Sequence, residues 1–370
     1  MADYTTIDDP SAYHQTQIYT GTGSTGNAIT NDGNSAMDPA LVWIKRRDYN
    51  NAHVVQDSTR GFDSGAARVI QTDSDAAEIT NGAFVSFDTD GFEVGGTNAT
   101  SGAYNASGEP FVAWQWKANG GTTTSATTTG GIASATRQVD STSKFSIVGY
   151  TSESTQAVGT IEHGLGVAPE FIVIKRRPAT DDWAVYHHKN TTAPETELLK
   201  LNTDAATTDI ATAWNDTAPT SSVFTLGALS DSNEGSGETY ICYAWAGVQG
   251  YSKFGRYEGN GQSNGTFIVT GFKPAWVMVK NTESTESWVI YNDEMPGYNQ
   301  VGQKLAPNLV DDQIPSGIGG PGYNDIDIYS NGFKYRTNNG ATNENDADFV
   351  YAAFAKEPLV TSGGVPATAE

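Results

Sequence analysis

The sequence predicts an all-β protein of three tandem antiparallel β-sandwich modules, jelly-roll-like in type. The first reason is a repeated phrase: PALVWIKRR at Pro39–Arg47 recurs as PEFIVIKRR at Pro169–Arg177 and, more weakly, as PAWVMVKNT at Pro274–Thr282. The second is composition, because only 17% of the residues are charged while glycine contributes 40 of the 370, a balance typical of many strands joined by many turns. The third is that no long window places apolar residues at helical spacing.

Each module is predicted to hold the same elements in the same order. It opens with a tyrosine before a polar loop that contains glycine, at Tyr19, Tyr150 and Tyr257. The repeated phrase follows, and another short strand starts fourteen residues after its proline, at His53, Trp183 and Trp288. An aromatic strand closes each unit, namely Phe111–Trp116, Tyr240–Trp245 and Phe349–Phe354. The period matches small domains in tandem rather than solenoid repeats.

The repeated phrase is predicted to be a central strand. Phe171 and Val173 alternate with Ile172 and Ile174, so both faces are apolar, as in a strand covered on both sides. We expect the basic residues that follow to mark the point where the strand reaches solvent. They could instead bind an acidic partner, including another subunit of this acidic protein.

Tight turns are predicted in the first and third modules. Asp90-Gly91 and Asn331-Gly332 each interrupt a short strand pattern, and these dipeptides strongly favour two-residue hairpin turns. The second module lacks such a dipeptide and offers FTLGALSDSNEG instead.

The spacing of the repeats predicts the domain boundaries. Residues 1–117 are predicted to form an N-terminal β module that begins with an arm, and 118–143 to form a flexible or extended linker rich in Gly, Thr and Ser. The second module covers 144–247 and the third 248–357, and these two are expected to pack against each other. Residues 358–370 are expected to be a flexible tail.

Charge and cysteine content restrict the partners. The chain has 43 acidic and 21 basic residues, a formal charge of −22, so neither nucleic acid nor an anionic membrane surface is an expected partner. The single cysteine, Cys242, excludes intrachain disulfides and a cysteine-rich metal site. With no apolar run of about 18 residues and no leader-like start, we expect a soluble chain made in a cytoplasm, without membrane insertion.

Several residues suggest chemistry, but each pattern favours a structural role. His163–Gly166 (HGLG) precedes a strand, which is the wrong context for a phosphate loop, and His187 and His188 should point to opposite faces of a strand. Oxygen-rich turns at Asp88/Asp90 and Asp346/Asp348 lack the twelve-residue calcium pattern. The tryptophans could stack on sugars, but their recurrence between modules favours packing. We predict no catalytic, cofactor-binding or metal-binding residue and no cofactor.

The residues that carry the repeat also carry a resemblance. YTTIDDPSAYHQTQIYTGTG, SFDTDGFEVGG, FVAWQWKANGG, IEHGLGVAPEFIVIKRR, SKFGRYEGNG and FIVTGFKPAWVMVKNT, together with the repeated phrases, resemble virion structural proteins of tailed phages, especially phages of marine bacteria. Proteins of this family are commonly described as tail fibre or virion structural components. The resemblance covers nearly the whole chain and implies a non-enzymatic building block located in the virion and assembled in the host cytoplasm. On this basis the arm at the start of module 1–117 is expected to dock to the phage particle.

Three functions are therefore distinguished. The first is a tail fibre or tail-associated appendage that contributes to host attachment, with other virion proteins and a host surface glycan or receptor as partners; the class implies a homo-oligomer, usually a trimer. The alternatives are a capsid decoration or adhesion protein and, with least support from the sequence, a polysaccharide depolymerase. Receptor contacts are expected in segment 296–323, which is unique to the third module.

Overall fold

The computed structural model describes residues 4–235, 237–295, 299, 301–315 and 325–368. Strands hold 43% of the chain and helices 5%, and all the strand pairs are antiparallel, so the predicted all-β class is confirmed. We call β1–β10 module one, β11–β21 module two and β22–β30 module three.

The strands of each module are short and joined mainly by loops. Module one follows a 3-10 turn at Pro10–Ala12 and contains β1 His14–Thr20, β2 Asn27–Ile29, β3 Leu41–Arg46, β4 Val54–Asp57, β5 Phe62–Asp63, β6 Ala66–Gln71, β7 Ile79–Asn81, β8 Phe84–Asp88, β9 Gly91–Val94 and β10 Pro110–Trp116. Module two contains β11 Thr124–Ala126, β12 Thr128–Gly130, β13 Ile132–Asp140, β14 Phe145–Ser152, β15 Gly159–Glu162, β16 Phe171–Arg176, β17 Ala184–His187, β18 Glu197–Lys200, β19 Thr208–Asp209, β20 Val223–Leu226 and β21 Thr239–Trp245, with a 3-10 turn at Pro194–Thr196 and helical turns α1 Ala211–Trp214 and α2 Ser230–Asn233. Module three contains β22 Ser252–Glu258, β23 Phe267–Val269, β24 Phe272–Asn281, β25 Val289–Asn292, β26 Gln303–Lys304, β27 Ile314–Pro315, β28 Ile326–Tyr329, β29 Gly332–Tyr335 and β30 Asp348–Pro358, with helical turn α3 Gly340–Asn343.

One four-strand order recurs in the large sheet of every module. It is β1-β10-β3-β4 in module one, β14-β21-β16-β17 in module two and β22-β30-β24-β25 in module three. The register also recurs, because Lys45, Lys175 and Lys280 lie opposite Val112, Ile241 and Val350. The repeated phrase is therefore an interior strand of its sheet, as predicted.

A three-stranded sheet faces each large sheet. The small sheets are β2-β9-β8, β12-β15-β20 and β23-β29-β28. The two predicted turn dipeptides lie at the β8–β9 and β28–β29 hairpins. At Gly91, whose φ is +101°, a Cβ would lie 2.0 Å from the carbonyl oxygen of Ile29, so only glycine fits this approach. Module two has no such hairpin in its small sheet, and β12 pairs at the opposite edge instead.

The apolar residues form one core inside each sandwich and a further core shared by all three modules. Val42, Ile44 and Phe92 belong to the inner core of module one, and equivalent cores fill modules two and three. The opposite faces of the three large sheets meet in the shared core, which contains Trp43, Trp114, Trp116, Phe171, Trp183, Trp245, Phe254, Trp276, Trp288 and Phe354. This explains why the repeated strand is apolar on both faces: one face packs inside its sandwich and the other packs against the neighbouring modules.

The segment predicted as a linker is part of module two. Within 118–143 the chain forms β11, β12 and β13, and β13 pairs along the edge of β14. Two of its few apolar residues, Ile132 and Ala135, face inward and are 3% and 7% exposed. The prediction was wrong because so few buried residues give a weak apolar signal, while backbone pairing with β14 holds the segment.

Both chain ends pack against the rest of the protein. The N-terminal arm, whose docking to a particle stays a prediction, contacts module three: the Tyr4 hydroxyl donates to the carbonyl of Gly271 at 2.6 Å, and Ile7 is buried in the shared core. The tail turns back at residues 361–365, and the amide of Ser362 donates to Asp8 at 2.6 Å. The arm thus serves as the partner that orders the described part of the tail.

Candidate functional site

The lysine of the repeated phrase is buried, contrary to the prediction that it reaches solvent. Lys45, Lys175 and Lys280 are each 0% exposed, and their ammonium groups donate to the carbonyls of Tyr49, Ala179 and Ser284, four residues onward, at 3.1, 3.4 and 3.4 Å. Burial lowers the pKa of each lysine to about 8. The lysine therefore fixes the loop that follows the strand.

Two of these lysines also join neighbouring modules. Lys175 of module two donates to the carbonyl of Asp75 in module one at 3.0 Å. Lys280 of module three donates to the carbonyl of Asp204 in module two at 3.2 Å. The same position of the repeat thus contacts the preceding module along the chain.

A backbone hydrogen bond recurs two residues after each lysine and closes the three modules into a ring. The carbonyl of Arg177 accepts from the amide of Glu78 at 2.7 Å, and that of Thr282 accepts from Thr207 at 2.9 Å. The carbonyl of Arg47 in module one accepts from Gln313 in module three at 2.6 Å. The same backbone hydrogen bond therefore joins module two to module one, module three to module two and module one to module three. This repetition gives the arrangement internal pseudo-threefold symmetry.

The aromatic position fourteen residues after the proline is also an inter-module contact. The indole of Trp183 donates to the carbonyl of Gln71 in module one at 3.0 Å. That of Trp288 donates to the carbonyl of Lys200 in module two at 2.8 Å. Trp114, Trp116, Trp183, Trp245 and Trp288 are at most 6% exposed, so they pack in the shared core, as their recurrence predicted.

Modules one and two share a buried cluster of charges. Arg60 pairs with Asp57, and both side chains are 0% exposed; the hydroxyl of Tyr243 in module two donates to the same carboxylate at 2.7 Å. Glu78 accepts from Arg177 of module two at 2.8 and 2.9 Å. Burial opposes ionisation of Glu78, but the hydrogen bond from Arg177 and the charge of Arg60 outweigh it and lower its pKa. The repeated arginine thus has an acidic partner inside its own chain.

Three buried histidines lie at or near contacts between modules. The ring of His14 packs against Phe354 of module three at 5.1 Å between centroids, and His187 hydrogen-bonds through Nε2 with the carbonyl of Tyr351 in module three at 3.1 Å. Burial lowers the pKa of both to about 3 and lowers that of His53 well below its usual value. At neutral pH all three rings are therefore uncharged.

The other candidates from the sequence have structural contacts. His163–Gly166 lies in the loop between β15 and β16, where Nδ1 of His163 accepts from the amide of Leu165. Asp90 accepts from the amide of Met37 at 3.1 Å. The described part of the chain contains no group of three or more His, Cys, Asp or Glu side chains placed to share a metal ion.

The segment predicted to contact a receptor is described only in part, since 296–298, 300 and 316–323 lie outside the described residues. Its described portion joins the ring. Leu305 is fully buried, and Gln313 accepts from Nε of Arg47 at 2.8 Å.

A buried asparagine in each module was not predicted. Asn105, Asn233 and Asn343 lie shortly before the closing strand and are 0% exposed. In module three, the Asn343 side chain donates to the carbonyls of Gln262 and Thr337 and accepts from the amide of Asn260, at 2.7–3.0 Å. It thus holds the loop that follows Tyr257. The available signal was an asparagine six or seven residues before each closing aromatic strand.

Replacing Asn343 with alanine is expected to lower the free energy of unfolding by about 2–3 kcal/mol, because buried backbone groups would lose their partners. Urea denaturation measures the change. Asn345→Ala is the matched control, since Asn345 is exposed and its replacement should change stability by less than about 0.5 kcal/mol. Equal effects of the two replacements would contradict the role assigned to Asn343.

The repeated residues therefore define a class of protein: three antiparallel β-sandwiches held around a common core by contacts that recur at each junction. The chain belongs to the family described as Domain of unknown function (DUF7483), whose model matches residues 9–358. No curated protein matches the sequence. Among the described residues, the helices are all too short to span a bilayer.

Proposed function

We propose that this chain is a non-enzymatic structural protein of a tailed-phage virion, most consistent with a tail fibre or tail-associated appendage that contributes to host attachment. The observation that carries the proposal is the use of the repeated motif. Its lysines, aromatic residues and backbone carbonyls hold three similar sandwiches around one core. Such a unit is a rigid building block, and this agrees with the resemblance of the sequence to virion structural proteins.

The distribution of charged and titratable groups supports a structural role. The ion pair of Arg60 with Asp57, in which both side chains are fully buried, lies beside the junction of modules one and two, and His187 bonds across the junction of modules two and three. Groups with strongly shifted pKa values often indicate active sites, although structural networks shift them too. Here Arg60 and His187, whose pKa values are strongly shifted, are engaged in contacts with a neighbouring module.

A second candidate is a capsid decoration protein, and the pseudo-threefold arrangement favours it. Closed symmetric assemblies commonly provide threefold positions. Because one chain contains three similar modules, a single copy of the protein could occupy such a threefold position. The homotrimer that the tail-fibre resemblance implies stays a prediction.

Cryo-electron microscopy of a virion that carries this protein tests both candidates. We expect its density on the tail, in a small multiple of three or six copies. Density over the capsid surface, with roughly tens to hundreds of copies per virion, would establish the second candidate instead. Absence of the protein from purified virions would overturn both.

A further inference from the structure

The three junctions of the ring differ in what covers the outer edge of the first strand in the recurring four-strand order, which is β14, β22 or β1. At the junction of modules one and two, β13 covers the edge of β14, with Gln138 opposite Ile147. The side chain of Gln138 donates to Thr59 of module one at 2.7 Å and accepts from the amide of Gly121 at 2.9 Å. A strand therefore covers the edge of β14 at this position, and a cavity of about 200 Å³ lies further along it, beside Thr59 and Gly149.

The junction of modules two and three is filled by a side chain. Phe254 on β22 is the counterpart of Ile147 on β14, because each lies opposite the equivalent residue of its closing strand. Nε2 of His188 in module two bonds with the carbonyl of Phe254 at 2.7 Å. His188 directly follows β17, as Ser58 directly follows β4. We call this equivalent position at each junction the slot. Gln138 lies in it at the first junction and His188 lies in it at the second.

The third junction, between modules three and one, holds a cavity at this place. The counterpart of Ile147 is Thr16 on β1, and the counterparts of Ser58 and Thr59 are Asp293 and Glu294. A cavity of about 220 Å³ lies between them. It is smaller than the roughly 300–1,000 Å³ of a typical small-molecule pocket, so its size fits one or two side chains.

Buried polar atoms beside this cavity lack partners. His14 and Thr16 line it and are 2% and 7% exposed. Among the described residues, neither Nε2 of His14 nor Oγ1 of Thr16 has a hydrogen-bond partner. Buried polar atoms in native proteins are nearly always hydrogen-bonded, to protein or to ordered water, so these two exceptions call for an explanation.

The cavity is also strongly acidic. Lys356 pairs with Glu294 at 2.5 Å and with Asp293 at 3.4 Å, so one cation is shared among the carboxyl groups of the lining and an excess of negative charge remains. The charged lining residues are Asp32, Asp293, Glu294, Lys356 and Glu357. A cationic side chain is therefore the complementary occupant.

We propose that this slot is a docking site for an extended segment of a partner protein, which pairs with the edge of β1 and inserts a lysine or arginine toward Glu294. Pairing along an exposed strand edge supplies affinity through the backbone, and the side chain supplies specificity. The segment occupies the position that β13 occupies on module two. This inference does not depend on the virion assignment.

A labelled peptide based on β13 tests the proposal with the full-length protein. The probe is IASATRKVD, which is residues 132–140 with Gln138→Lys, and the comparison peptide carries Gln138→Glu. Fluorescence anisotropy should show about tenfold tighter binding of the lysine peptide than of the glutamate peptide, weakening as salt is added. No binding of the lysine peptide up to about 1 mM, or equal binding of the two peptides, would overturn the proposal.

Protein variants and hydrogen exchange identify the site. Glu294→Gln should weaken binding of the lysine peptide by about threefold or more, whereas Glu258→Gln, on the exposed edge strand of module three, should leave it unchanged. Bound peptide should slow amide exchange in Gln15–Ile18. Equal effects of the two variants, or slower exchange on β14 in place of β1, would show that the peptide binds elsewhere and would also overturn the proposal.

Discussion

Arg60→Ala is expected to lower the free energy of unfolding by about 3–5 kcal/mol, because it leaves Asp57 as an uncompensated buried charge. The side chains of both residues are fully buried, and Tyr243 of module two bonds to the same carboxylate. The loss should therefore weaken the junction of modules one and two as well as module one itself. Urea denaturation followed by tryptophan fluorescence measures it.

Arg68→Ala is the matched control. Arg68 also pairs with Glu78, at 3.1 Å, but its side chain is 30% exposed, so its removal should cost at most about 1 kcal/mol. The double replacement Asp57→Asn with Arg60→Met should cost less than Arg60→Ala alone, since this pair then leaves no unpaired charge. An Arg60→Ala effect no larger than that of Arg68→Ala would contradict the importance of the buried pair.

Mild acid is expected to destabilise the protein through His14, His53 and His187. Burial places the folded-state pKa of His14 and His187 at about 3 and that of His53 well below normal, so between pH 6.5 and the folded pKa only the unfolded chain gains the proton. Stability therefore falls as pH falls through this window, by about 2 kcal/mol per histidine between pH 7 and 5.

The carboxyl groups of half-buried Asp73 and buried Asp231 oppose this loss. Burial raises the pKa of Asp73 and Asp231 to about 6, so the folded protein gains these protons first and is stabilised by about 1 kcal/mol for each between pH 7 and 5. The net loss of unfolding free energy over this interval should be about 3–4 kcal/mol, measured by urea denaturation at the two pH values.

Two variants separate these contributions. His187→Asn, which introduces the residue found at the equivalent Asn292 of module three, should reduce the difference between pH 7 and 5 by about 2 kcal/mol. Asp73→Asn should increase it by about 1 kcal/mol. If His187→Asn leaves the pH dependence as in the unaltered protein, proton uptake by this histidine does not control acid stability.

Much of the fold followed from local pattern. The repeated apolar strand, the turn at Asp90-Gly91 and the aromatic closing strand predicted where strands lie, because strand formation depends on alternation and turn chemistry within a few residues. The candidate site was less predictable. Lys175 was expected in solvent, and the partner that buries it, the carbonyl of Asp75, lies one hundred residues away in the sequence.

The sequence by itself determined that the chain is all-β, that its strands repeat, and that the repeated strand is covered on both faces. Only the tertiary structure decided what covers the second face, which is the shared core of the other modules. It also decided that β13 covers the edge of β14 while the space beside Thr16 on β1 holds a cavity. The physical reason is that apolar periodicity reports burial, whereas the partner of a buried face or strand edge depends on contacts between distant segments.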